Sequence, residues 1–180
     1  LMSVTDIIRG DDHLTNSFRQ MVIFKYLDYL PTFSHMPLIH NENNEKLSKR
    51  HNALSIKEYK NNGFLPETII NYLLRLGWSY EDKEIISLDD AINNFKIEKI
   101  GKSASKLDEK KLFFLNNFYI KNKNTDFIFN EIKNTPDFLN IKNSKKSINK
   151  LKNLISIYKE RSNTLNEITT NLISINEEIF

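Results

Sequence analysis

The sequence predicts a mainly α-helical chain with a small α/β part at its N-terminal end. The first forty residues read as strand, helix, strand, and nearly everything after Ser55 reads as helices with recognisable caps. The 180 residues are 39% hydrophobic, enough to bury one good core or two small ones, which excludes a disordered chain. No stretch reaches the length of a membrane span, and residues 1–6 lack the basic-then-apolar order of a signal peptide, so no membrane partner is expected. Cysteine is absent, which removes disulfides and thiolate metal sites and fits a cytoplasmic location or an organelle matrix. A net charge of +3 leaves only a local basic surface to attract nucleic acid.

Taken in order, Val4-Thr5-Asp6-Ile7-Ile8-Arg9-Gly10 is a β-rich run stopped by glycine, the pattern of a buried strand. Asp11-Asp12-His13 follows. It is either a polar turn that caps the next helix or, at the carboxyl end of a strand, the place where open α/β sheets hold ligands. A metal site is rejected here, because adjacent turn residues rarely converge on one ion and no further ligand follows at suitable spacing. Phe18, Met21, Val22, Tyr26, Tyr29 and Leu30 mark one face of a largely buried helix over about 16–30, ended by Pro31. Phe33 to Ile39 reads as a second strand. This is the end of a βαβ unit, and residues 1–55 taken alone are expected to leave apolar surface exposed.

Lys46-Leu47-Ser48-Lys49-Arg50 sets three cations and a hydroxyl within five residues, a mobile site for phosphate groups. Such a pentapeptide is weak by itself, since most lysine-rich loops are simply solvated. Beyond it, Ser55 with Glu58 forms a capping box, Gly63 closes that helix, and Pro66 opens another that ends at Gly77. Ser87 with Asp90 starts a short helix to Phe95. Ser105 with Asp108 starts one that carries Leu112, Leu115, Phe118 and Tyr119, whose aromatics read as core. Later helices are expected over 126–134, over 147–161 and from a cap at Thr164 and Glu167. Lys142, Lys145, Lys146, Lys150 and Lys152 form a basic cluster, read either as a solvated face or as a contact for a phosphate backbone.

Several blocks together resemble bacterial-type glutamyl-tRNA synthetase, a class I aminoacyl-tRNA synthetase. They are Ile8-Arg9-Gly10-Asp11-Asp12-His13-Leu14, His35-Met36-Pro37-Leu38-Ile39, Lys46-Leu47-Ser48-Lys49-Arg50-His51, and Tyr59 through Gly63-Phe64-Leu65-Pro66-Glu67 to Leu76-Gly77-Trp78. Lys102 to Asp108 with Leu115-Asn116 is similar to the family's stem-contact region, and Lys159-Glu160-Arg161 with Thr164-Leu165 to its first anticodon-binding helices. The resemblance implies a C-terminal remnant of a Rossmann-type catalytic domain over 1–54, a stem-contact domain over 55–122, and the first part of a helical anticodon-binding domain over 123–180.

It further implies ATP and L-glutamate as substrates, Mg2+ accompanying the ATP with no protein-bound metal, tRNA(Glu) as partner, and a monomeric parent. Lys46, Ser48 and Lys49 match the catalytic lysine loop, with Lys49 and Lys46 on ATP. Asp12 and His13 match the pair beside the adenosine pocket, and Arg9 the reader of the substrate's side-chain carboxylate. Asn52 stands where the family usually has a small residue. The family's His-x-Gly-His signature is absent, the four histidines being His13, His35, His40 and His51. The chain is therefore read as a fragment, inactive alone. The alternatives are a catalytically silent tRNA-binding module, or a paralogue that modifies queuosine in tRNA, which generally lacks a helical tail.

Overall fold

The structure, a computed structural model, describes residues 3–41, 43–47, 54–78, 80–139 and 145–179. It is mainly helical, as the sequence predicts, with two small parallel strand pairs. The chain divides into two compact units, Leu1–Ala53 with Leu73–Asp108, and Leu54–Tyr72 with Glu109–Phe180.

In the first unit, β1 (Asp6–Gly10) pairs in parallel with β2 (Thr32–Met36), setting Arg9 opposite His35 and Gly10 opposite Met36. A single 3-10 turn, Asp11–His13, leads from β1 into α1 (Leu14–Tyr26), completing the βαβ unit. Pro37 has no N–H to give to a ladder. The strand expected to run to Ile39 is accordingly split, and β3 (Ile39–His40) pairs instead with β4 (Ser105–Lys106). α1 stops at Tyr26 rather than at Pro31, and Asp28 just beyond it takes left-handed backbone, φ 50°.

The expected buried face of α1 is the exposed one. Ser17 is buried and Phe24 packs against Phe33 and Tyr29, whereas Phe18, Val22 and Ile23 are 68%, 70% and 61% exposed. Apolar periodicity orients a helix only where there is surface to bury it against. Two strands cover one face, and polar bonds from Ser17 hold that face inward. The apolar exposure expected of residues 1–55 is thus present. α4 (Leu88–Asn94) is capped as predicted, Ser87 accepting from the Asp90 N–H at 3.0 Å. Trp78, Ile86 and Ala91 form this unit's small core, with Tyr80 stacked on Trp78.

In the second unit, the capping box of α2 (Ile56–Asn61) is complete: Ser55 accepts from the Glu58 N–H at 3.3 Å and Glu58 from the Ser55 N–H at 2.6 Å. Gly63 then takes φ 81°, and a Cβ there would stand 2.7 Å from the Asn166 backbone nitrogen. α3 (Pro66–Gly77) contributes its residues up to Tyr72. There follow α5 (Glu109–Asn122), α6 (Thr125–Ile132), α7 (Pro136–Leu139), α8 (Lys145–Tyr158) and α9 (Leu165–Ile179).

Ser105 does not cap α5. It lies in β4, and its hydroxyl donates to the Leu76 carbonyl within the first unit. The inward face of α5 is filled by Leu112, Leu115, Asn116 and Ile120, which leaves Phe113, Phe114 and Phe118 exposed rather than in the core. Thr164 and Glu167 cap α9 as expected, with bonds of 3.1 and 2.6 Å. Ile120, Ile128, Phe138, Ile155 and Ile168 are fully buried at the centre of this unit. Phe138 comes from α7, a single helical turn that periodicity could not reveal.

Asn116 is the polar centre of the second unit and has no exposed surface. Its oxygen accepts from the Leu65 N–H at 2.9 Å and the Thr68 hydroxyl at 2.8 Å; its nitrogen donates to the carbonyls of Gly63 at 3.3 Å and Asn163 at 2.6 Å. One amide thereby joins the turn before α3 to the turn before α9. Removing it strands several buried groups, each costing about 1–3 kcal/mol. Asn116→Ala is expected to lower stability by about 3 kcal/mol in urea unfolding, and Asn116→Leu, which restores volume but no bonds, to recover little of it.

Candidate active site

The carboxyl end of β1 carries the first of the predicted residues. Asp12 turns back over the strand end, so that a Cβ on Gly10 would meet its Oδ1 at 2.7 Å and Leu38 Cδ2 at 3.1 Å. A side chain there would displace the ends of these two side chains. Asp12 Oδ2 accepts from Lys46 Nζ at 2.7 Å. Lys46 arrives on a hairpin: His40 and Lys46 form an antiparallel bridge, the Leu47 N–H donates to Ile39 at 2.9 Å, and the Asn41 N–H donates to the Glu45 carbonyl at 2.9 Å. Asn44 takes the left-handed backbone the turn needs, φ 63°, and the Asn41 amide bonds Glu45 through both its oxygen and its nitrogen.

Of the lysine loop, Lys46 and Leu47 are held by these contacts. Ser48 and Lys49, with Arg50, lie outside the described residues. The hydrogen bond from Lys46, reinforced by its charge, holds the Asp12 carboxyl below its ordinary 3.8 despite opposing desolvation. His13 is exposed, 3.1 Å from the Asn16 amide through Nδ1 and 4.0 Å from Asp12 Oδ1 through Nε2. Among the described residues, no group of three or more His, Cys, Asp or Glu stands together to hold a metal ion.

Arg9 is held in a separate cradle. Its Nη1 donates to Gln20 Oε1 at 2.8 Å, its Nη2 to the Ser17 hydroxyl at 2.6 Å, and its Nε to His35 Nε2 at 3.4 Å; the Phe33 ring lies 5.2 Å from the guanidinium carbon. Sequence reasoning gave Arg9 but assigned no site role to Ser17, Gln20 or His35. A signal was present: Ser17 and Gln20 are polar positions three apart on a helix, hence on one face.

The structure describes the predicted basic cluster in part. Lys142 lies outside the described residues, Lys145 and Lys146 open α8, and Lys152 is paired with Asp126 at 2.6 Å. A polar cleft of about 480 Å³ opens instead at the N-terminus of α9, lined by Arg161, Ser162, Thr164, Asn166, Glu167 and Thr170. Arg161 packs on the Tyr158 ring at 4.7 Å, and the buried Ser162 hydroxyl has no partner among the described residues.

Residues 1–114 match the family described as tRNA synthetases class I (E and Q), catalytic domain. The chain belongs to that family. It is 57% identical over 132 residues to a glutamate–tRNA ligase of Ehrlichia canis, covering 73% of this chain and 28% of that protein. A glutamate–tRNA ligase of Campylobacter hominis is 43% identical over 176 residues, covering 97% of this chain and 37% of the relative. A crystal structure of a glutamate tRNA ligase from Elizabethkingia meningosepticum, in complex with its amino acid, superposes with a TM-score of 0.77 at 28% identity, over 96% of this chain and 38% of that one. The chain therefore spans well under half the length of these relatives. The small parallel sheet is that of a Rossmann-type class I domain, as the resemblance implied.

A carboxyl whose folded value lies below its unfolded one contributes stability above pH 3.8, and that contribution is lost as pH falls through the folded value. Followed by carbon NMR, Asp12 is expected to titrate below 3.8, and to return toward it in Lys46→Met.

Proposed function

We propose that this chain is the phosphate-handling and carboxylate-reading portion of a glutamate–tRNA ligase. The observation that carries the reading is the meeting of Asp12 and Lys46 at the carboxyl end of β1, beside an Arg9 already fixed in a cradle. In the reaction, an oxygen of the glutamate α-carboxylate attacks the α-phosphorus of ATP. The bond to the β-phosphate breaks and pyrophosphate leaves. The terminal ribose hydroxyl of tRNA(Glu) then attacks the acyl carbon of the adenylate, and AMP leaves.

Arg9 would bind the side-chain carboxylate, leaving the α-carboxylate to react. Lys46 sits on Asp12, and a triphosphate, being more anionic than one carboxylate, would draw it away. Lys46 and Lys49 would then gain most as charge builds on the departing pyrophosphate, which is stabilisation specific to the transition state. Ser48 would hydrogen-bond the loop or a phosphate, and Asp12 and His13 would lie beside the adenosine. Mg2+ would travel on the triphosphate oxygens, in keeping with its usual use of few protein ligands.

For the RNA, the cleft at α9 offers the Arg161 guanidinium and the Ser162 hydroxyl, donors that suit a sugar–phosphate backbone, although the Glu167 carboxylate on the same lining opposes a phosphate. The proposed division is a catalytic part over 1–54, a stem-contact part over 55–122 and an anticodon-binding part over 123–180. Ligation would need the His-x-Gly-His half of the site, which this sequence does not contain.

The test is ATP–pyrophosphate exchange with glutamate and tRNA(Glu). Exchange by the full-length native polypeptide, reduced about 100-fold or more by Lys49→Ala and absent from residues 1–180 alone, is the expected outcome. A native protein of this chain's mass that binds tRNA without exchange would replace the ligase by the tRNA-binding module.

A further inference from the structure

Ser17 and His35 surround the Arg9 guanidinium in a way that counts its protons. A guanidinium has five N–H groups. Three are engaged among the described residues, by His35 at Nε, Gln20 at Nη1 and Ser17 at Nη2. One N–H remains on each terminal nitrogen, the number a bidentate carboxylate takes. Ser17 Oγ also lies 3.1 Å from His35 Nε2, so the hydroxyl accepts from Arg9 and can turn its own proton to the imidazole. His35 Nε2 therefore serves as an acceptor, which assigns the ring proton to Nδ1.

Ser17 is 5% exposed although it is a hydroxyl on a helix most of whose apolar residues lie outside. Burying a polar group in place of an apolar one costs free energy unless the bond it makes is needed. The strand register places His35 directly opposite Arg9, so the third contact comes from the sheet itself.

We propose that Ser17 and His35 are positioning residues that lock the Arg9 guanidinium as a reader of the substrate's side-chain carboxylate, and so set a preference for glutamate over glutamine. This rests on the reading of Arg9 given above. A locked pair of N–H groups accepts two carboxylate oxygens, whereas a carboxamide would set its NH2 against one of them. An arginine free to swing can offer a single N–H to the carboxamide oxygen and tolerate the amide. Discrimination thus depends on rigidity as well as charge.

The experiment uses the full-length native polypeptide, measuring glutamate and glutamine affinity by calorimetry and the KM values of glutamate and ATP in exchange. Ser17→Ala and His35→Leu are expected to raise the glutamate Kd and KM about 10-fold and to shrink the glutamate-to-glutamine ratio about 10-fold, with the ATP KM within about twofold. Ser17→Thr and His35→Asn, which keep an acceptor, should restore most of the preference. Arg9→Lys separates the two layers. If it leaves glutamate binding unchanged, the assignment of Arg9 falls and this proposal with it. If Arg9→Lys is severe while Ser17→Ala and His35→Leu keep the wild-type ratio, only the positioning role is overturned. Equal losses for glutamate and ATP together with a lowered Tm also overturn it, because they mark these residues as structural.

Discussion

The site depends on the register of a five-residue parallel strand pair. With Asp6 opposite Thr32, Arg9 falls beside His35 and Gly10 marks the strand end. A slip of one residue would turn every side chain of β1 to the other face, taking Arg9 away from His35 and from Ser17 on α1. The same strand end orders the second half of the site, because the Asp12 carboxylate lies over Gly10 and holds Lys46. The two proposed anion sites, Arg9 for a carboxylate and the Asp12–Lys46 pair for a triphosphate, thus start from positions three apart in sequence.

The second unit is organised differently. Its order rests on turns stitched by side-chain amides: Asn116 joins the chain at Gly63, Leu65 and Asn163, and Asn117 donates to the Ser162 carbonyl at 2.7 Å. Gly63, in left-handed backbone, lets α9 begin beside it, since the Leu165 N–H donates to the Gly63 carbonyl at 3.0 Å. These bonds fix where α9 starts, and with it the polar cleft around Ser162.

Punctuation was the most legible part of the sequence. The capping residues Ser55, Ser87 and Thr164 and the breaks at Gly63 and Pro66 act through bonds within a few residues, so local reading recovers them. The failures have a shared cause. The buried face of α1, the pairing of Ser105 with β3 and the burial of Phe138 are set by segments distant in sequence, which periodicity does not contain. Among site residues, Arg9, Asp12 and Lys46 stood in recognisable blocks. The Ser17 and His35 contacts needed the strand register and the orientation of α1 to become visible.

The most direct measurement is a crystal structure of the full-length native polypeptide with glutamate and a non-hydrolysable ATP analogue. The glutamate side-chain carboxylate is expected on the two remaining N–H groups of Arg9, with Ser17 and His35 still in contact with the guanidinium, and Lys46 moved from Asp12 to the phosphates. A glutamate carboxylate bound elsewhere, with Lys46 still on Asp12 while the nucleotide is bound, would contradict that expectation.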